Sequence, residues 1–278
     1  MLRQVHDNGD GSSGGDEKVD ALLLAAPTIA GESRTARRHT RRRVKKRRAD
    51  GSIDECLVAF HSTNTIAVEQ YRKLYAEIIR AEGVRELRTL LVVSALRNEG
   101  KTITALNLAI TMAASGTDHA LLVEMDFREP SVQDKLGTHP AYGLTDYLLG
   151  DVEFEQIFNY TSIPGLTVVH AGRPVKDPIA LLSPQKMGHF FQQLKSQTQY
   201  RYIVLDSSPI LATSEPAILM TQYVDAALLV VQASKTPREL VAEAIETLGP
   251  EHVLGCVFNG IIASDTYYDH YQYKLKHR

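Results

Sequence analysis

Three short stretches of the chain bring together residue types that handle phosphate and divalent metal. The first is LLVVSALRNEGKT, residues 90–102, where an apolar run passes through a polar loop into Gly100-Lys101-Thr102 and on into a helical pattern. A strand, a loop and a helix in that order make a phosphate cradle. The loop turns main-chain N–H groups inward, and the positive end of the following helix points at the same place. Lys101 would reach the β- and γ-phosphates, and the Thr102 hydroxyl would ligate Mg²⁺. Ala95, Asn98, Glu99, Gly100 and Ile103 complete the candidate loop, although Ala95 stands where the G-x-x-x-x-G-K-[ST] pattern has its first glycine. The second stretch, ALLVEMDFREP, sets Glu124, Asp126 and Arg128 at the end of an apolar run, and the third, RYIVLDSSP, does the same for Asp206. An acid at the tip of a buried strand can hold Mg²⁺ directly or through water. One such acid alone reads more simply as a helix cap; a loop and two acids in series favour a nucleotide site. Glu124 and Asp126 are two apart, so in extended backbone they leave the same side. One could hold metal while the other accepts a proton from an attacking hydroxyl.

These residues need strands to carry them. Apolar runs at Thr89–Ser94, Ala120–Met125, Leu166–His170, Tyr202–Leu205, Ala226–Gln232 and Val253–Phe258 alternate with helical patterns such as Thr102–Ala114 and Arg238–Leu248. Several runs are apolar without alternation, which suits strands covered on both faces. The expectation is an α/β fold, a doubly wound and mostly parallel sheet, with ligands at the carboxyl ends of its strands. Residues 61–264 form the expected domain. Leu22 to Ala26 is too brief to assign.

The 278 residues are 44% hydrophobic and 23% charged, which excludes a wholly disordered chain, and Cys56 and Cys256 are too few for a disulfide framework. No apolar run reaches the ~18 residues of a membrane span. The net charge of −2 hides a division. Residues 1–60 read as a flexible arm, and its segment 34–48, RTARRHTRRRVKKRR, holds ten Lys/Arg in fifteen positions with no acid. It reads as a solvated linker or as a contact for an anionic membrane surface or acidic partner. No aromatic residues interleave it, which argues against specific nucleic-acid binding.

Taken together, the motifs resemble the bacterial tyrosine kinases of capsule and exopolysaccharide export, over about residues 61–264. Val123-Glu124-Met125-Asp126-Phe127-Arg128-Glu129-Pro130 is similar to the family's Walker A' segment V-D-x-D-x-R-x-P, and Val204-Leu205-Asp206-Ser207-Ser208-Pro209 to its Walker B. GLTDYLLG, AGRPVKDPIALLSP, LLVVQASKTPREL and VLGCVFNG also fit. The resemblance implies a P-loop fold of the MinD/ParA-like deviant-Walker type and ATP with Mg²⁺ as cofactors. Lys101 and Thr102 would bind them, Asp126 and Asp206 would hold the metal, Arg128 would lie beside the phosphates and Asn259 would face the adenine. It implies rings of the kinase itself, formed through the helix containing Glu69-Gln70-Tyr71-Arg72, and a transmembrane polysaccharide co-polymerase with a cytoplasmic segment as activator. It further implies a cytoplasmic protein, peripheral at the inner membrane. The end of the chain, residues 265–278, carries Tyr267, Tyr268, Tyr271 and Tyr273, a cluster such kinases phosphorylate in trans.

Three departures bear on activity. Arg97-Asn98 replace the family's Pro-Gly, Tyr75 stands at the last Arg of its E-x-x-R-x-x-R motif, and Glu124 replaces an aspartate. The added methylene is ~1.5 Å of reach, and ~1 Å of misplacement can cost about 10²-fold in rate. Two other readings share the motifs. One is an ATPase switch of the MinD/ParA type, against which Leu96 stands where those ATPases place a signature lysine. The other is a degenerate kinase that binds nucleotide and serves as a scaffold.

Overall fold

The computed structural model describes residues 22–27, 51–83, 86–116, 119–175, 177–213 and 222–261. The basic run 34–48 and the four tail tyrosines lie outside the described residues.

Among the described residues, eight strands form one sheet: β1 (Leu22–Pro27), β2 (Thr89–Ser94), β3 (His119–Glu124), β4 (Phe158–Tyr160), β5 (Leu166–Val169), β6 (Tyr200–Asp206), β7 (Ala226–Gln232) and β8 (Val253–Ile261). Their order is β1-β8-β7-β2-β6-β3-β5-β4. Every pairing is parallel except that of β4 with β5. The central strand β2 shows why its sequence is apolar throughout. Leu90 and Val92 enter the core on one face, and Leu91 and Val93 enter the core on the other. A strand covered on both sides has no polar face to alternate.

The first face is covered by α1 (Val58–His61), α2 (Ile66–Glu82) and α3 (Lys101–Ala113). In α2, Thr65 caps the first turn by accepting from the Val68 amide at 3.3 Å. Buried Val68, Tyr71, Leu74 and Ile78 follow the i, i+3, i+4 spacing of one helical stripe. Helix α3 is apolar nearly all round and almost wholly buried. After β3 come two short helices, α4 (Val132–Leu136) and α5 (Leu144–Leu149). The second face is covered largely by α6 (Pro184–Ser196), which buries Met187, Phe190, Phe191 and Leu194, and by α7 (Arg238–Leu248), which buries Ala244 and Leu248.

Two segments differ from the sequence reading. Residues 22–27, inside the expected arm, form edge strand β1 on β8. Residues 51–60, also inside the expected arm, pack into the domain rather than preceding it: Leu57 is 0% exposed. Asn107 on α3 fastens this segment, accepting from the Ala59 amide at 2.9 Å and donating to the Cys56 carbonyl at 3.0 Å. Among the described residues, no helix is long and apolar enough to cross a membrane.

Candidate active site

Parallel strands deliver their carboxyl ends to one edge of the sheet, so the loop after β2 and the acids after β3 and β6 meet there. These three strands are neighbours, with β6 between the other two. In register, Asp206 lies level with Val92 on one side and Glu124 on the other, and its carbonyl accepts from the Met125 amide at 2.7 Å.

The loop bends sharply. Asn98 sits at φ 64° and Gly100 at φ 93°. Asparagine is among the few side chains that adopt the left-handed region readily, so Asn98 performs the turn for which the family pattern uses glycine. Gly100 is required twice over, because a Cβ there would lie 1.9 Å from Asn259 Nδ2. Gly100 opens α3 without a side-chain cap, so the first-turn amides face the loop. Ser94 and Ala95 tie the loop to the segment after Asp206, their carbonyls accepting from the Ile210 and Leu211 amides.

Glu99 anchors the loop through its side chain. Its side chain, 2% exposed, turns into the protein. It accepts from the Leu96 amide at 2.7 Å and from the Thr236 hydroxyl. Asn259 Nδ2 donates to the Glu99 carbonyl at 2.9 Å, so Asn259 braces the loop from β8. The loop is therefore held from two later elements. Nothing in the local pattern around Thr236 signals this contact, which spans 137 residues.

Lys101 lies between the acids. Its Nζ is 2.9 Å from Asp126 Oδ2, with both side chains nearly buried. Burial pulls against the Lys101 charge, but Asp206 and Asp126 outweigh it and hold the ammonium above its ordinary pKa. Asp126 Oδ1 accepts from the Glu129 amide at 3.1 Å. Asp206 is 0% exposed, and neither carboxylate oxygen has a hydrogen-bond partner among the described residues. Burial pushes its pKa up to about 6; Lys101 and, short of hydrogen-bond geometry, Thr102 work against that rise, and Asp126 adds to it. A buried carboxylate with two idle oxygens beside a threonine hydroxyl and a second carboxylate is an oxygen donor set suited to Mg²⁺.

Met125 and Phe127 continue the inward alternation of Leu121 and Val123, so Glu124 and Asp126 leave the other side together, as their spacing requires. Their partners differ. Both oxygens of Glu124 accept main-chain N–H groups, from Ser131, Val132 and Ala171, whereas Asp126 meets Lys101. Burial pushes Glu124 up to about 7 against those amides, with Asp206 adding to the rise. Arg128 is exposed on the same loop. Arg97 and Glu129, neither singled out as a site residue by sequence, join the two loops through an ion pair of 2.6 Å. On α2, Glu69 and Arg72 pair with each other at 3.4 Å. Tyr75 instead packs on the core, edge-on to Tyr202 with ring centroids 5.5 Å apart.

A phosphate loop, a buried lysine and two strand-end acids on a parallel sheet define a P-loop protein of the MinD-like type. The MinD of Pyrococcus horikoshii, solved with Mg-ADP, shares the fold with a TM-score of 0.52 and 20% identity, covering 66% of this chain and 76% of that one. The kinase domain of Escherichia coli tyrosine kinase ETK superposes with a TM-score of 0.72 and 24% identity, covering 87% of this chain and 91% of that one. The VpsO kinase domain does so at 0.59 and 28%, covering 72% and 100%. No protein-family model matches the chain. In sequence, the chain is 31% identical to the tyrosine-protein kinase YwqD of Bacillus subtilis over 73% of its own length and 85% of that protein. It is 25% identical to the tyrosine-protein kinase ptk of Acinetobacter johnsonii, of which it spans 28%. The chain belongs to the bacterial tyrosine kinase family of capsule and exopolysaccharide loci.

Proposed function

We propose that the protein is an ATP-dependent protein-tyrosine autokinase that regulates exopolysaccharide polymerisation or export. The observation that carries this reading is Lys101, buried against Asp126 and within the field of Asp206 at the mouth of a phosphate loop. The loop amides and the amino end of α3 bind the ATP phosphates. A tyrosine oxygen attacks the γ-phosphorus, the bond to the β–γ bridging oxygen breaks, and ADP leaves. The phenol proton passes to an acceptor in the pocket. Lys101 neutralises charge on the transferred group and on the leaving oxygen. Thr102, Asp126 and Asp206 would hold Mg²⁺, which screens the phosphate charges when bound. Arg128 lies beside the phosphates, and Asn259 faces the base from β8.

The tyrosines that accept phosphate are Tyr267, Tyr268, Tyr271 and Tyr273, presented in trans by a neighbouring copy. Each phosphate adds about −1.5 to −2 charges. Repulsion from the acidic site then loosens a ring assembled through Glu69 and Arg72. The partner is a transmembrane co-polymerase whose cytoplasmic segment activates the kinase and holds it at the inner membrane.

The test is incubation of the full chain with Mg-ATP, alone and with a candidate partner's cytoplasmic segment. Phosphotyrosine within 267–273 is the expected result, abolished in Lys101→Met. Hydrolysis without phosphotyrosine would assign a MinD/ParA-type switch, and nucleotide binding without either a scaffold.

A further inference from the structure

Glu124 stands at the position where the two-acid reading places a proton acceptor, yet its oxygens are spoken for. The side chain is 1% exposed. Oε1 accepts from the amides of Ser131 at 2.5 Å and Val132 at 2.8 Å, and Oε2 accepts from the amide of Ala171 at 3.1 Å. Ser131 is the N-cap position of α4, and its own side chain makes no cap hydrogen bond. The carboxylate of Glu124 supplies that cap from seven residues upstream, and the negative charge suits the amino end of the helix.

The three bonds join the end of β3, the start of α4 and the segment leaving β5. Between Glu124 and Ser131 runs the loop that carries Asp126 and Arg128, so the carboxylate closes the base of that loop. Asp126 folds it further through the Glu129 amide. The far end of α4 is fixed as well: Lys135 Nζ lies 2.8 Å from Asp54 Oδ2, and the Lys135 carbonyl accepts from the Asp54 amide at 2.8 Å. Turning Glu124 toward a substrate hydroxyl would strip acceptors from three main-chain N–H groups at once, a loss that buried backbone does not tolerate. Close by, His170 has Nδ1 3.9 Å from Oε2, outside hydrogen-bond reach.

We propose that Glu124 is a positioning residue: by binding the amides of Ser131, Val132 and Ala171 it holds Asp126 and Arg128 at the phosphate site, and it takes no proton from the substrate. This rests on the kinase reading above and assigns Glu124 a role within that same site.

Calorimetry of ADP binding to the full chain, with and without Mg²⁺, separates the roles. Glu124→Gln keeps one carbonyl oxygen for the α4 amides but turns an NH₂ group toward the Ala171 N–H, donor against donor. The phosphate loop is untouched, so Mg²⁺-free ADP binds as in the wild type. The additional affinity conferred by Mg²⁺ falls about 10- to 100-fold, the usual effect of releasing a metal ligand's support. KM for Mg-ATP rises with it. Glu124→Asp, which keeps the charge and loses the reach, behaves the same way. The proposal is overturned if Glu124→Gln binds Mg-ADP normally and loses turnover alone. It is equally overturned if binding falls by the same factor with and without Mg²⁺, which is general destabilisation. A measurement on the wild type needs no variant to fold. With a non-hydrolysable Mg-ATP analogue bound, the amides of Ser131, Val132 and Ala171 stay protected from hydrogen exchange, and loss of their protection on binding would refute the assignment. A wild-type chain that binds no nucleotide would remove the kinase reading first, and this inference with it.

Discussion

Asp206 is held in a state that folding alone would avoid. Its carboxyl is buried, its oxygens lack hydrogen-bond donors among the described residues, and burial lifts its pKa from 3.8 to about 6. Between those two values the folded protein binds a proton that the unfolded chain does not. Stability therefore falls as pH rises through that window, and above pH 6 the cost is fully present. Asp206→Asn removes the charge. Without nucleotide, the variant should be more stable than the wild type at pH 8, by about 1–3 kcal/mol. The advantage should shrink as pH falls and vanish near pH 4. Mg-nucleotide should raise the wild-type melting temperature more than that of the variant, which keeps the phosphate loop but loses a metal ligand. Thermal melts at pH 4, 6 and 8, with and without Mg-ADP, check both halves, and an Asn variant that melts below the wild type at pH 8 contradicts the account. Acids at the tips of apolar runs are legible in sequence because strand ends and acid spacing are local. The engagement of Glu124 is not, because two of its three donors lie beyond a loop and the third lies 47 residues away.

Legibility follows the same division among the elements. Strands β2 and β7 match their sequence-read bounds because they are buried on both faces and read as unbroken apolar runs. Strand β4 has three residues on an antiparallel edge, too short to impose a period. Strand β1 is too brief to assign from sequence and lies between segments that do not read as globular. Helix α4 has five residues and draws its cap from β3, so no local signal announces it. The packing of residues 51–61 draws, beside buried Leu57 and Val58 and the Asp54–Lys135 contacts, on one buried amide of α3, Asn107, which is 0% exposed and also donates to the Ile103 carbonyl at 2.9 Å. Asn107→Leu fits the space but leaves the Ala59 N–H and the Cys56 carbonyl without their partner. Each abandoned buried group costs about 1–3 kcal/mol, so a loss of about 2–4 kcal/mol is expected in denaturant unfolding. Hydrogen exchange should rise first in 51–61 while the phosphate loop keeps its protection. Faster exchange confined to β2 and α3 would show that the segment is not an attachment of its own.

At the scale of the whole molecule, charge is divided along the chain. Residues 1–60 carry more Lys/Arg than Asp/Glu, and the remainder carries the reverse. A mildly acidic catalytic body gains nothing at an anionic surface, so any such attraction must come from the run 34–48. Each basic residue near an anionic leaflet contributes about 1 kcal/mol, and the field decays within ~10 Å at 0.1 M salt. Ten such residues suffice to hold the body at an anionic surface by charge alone. The full chain should co-sediment with vesicles containing phosphatidylserine at low salt, and release when salt approaches 0.5 M, a condition where the screening length is below ~8 Å. It should ignore vesicles of phosphatidylcholine alone. Replacing the ten Lys/Arg of 34–48 by Gln should abolish sedimentation and leave Mg-ADP affinity unchanged, because the site is built from β2, β3 and β6. If the Gln variant sediments as the wild type does, the run is a spacer and the attraction to the vesicles lies elsewhere in the chain.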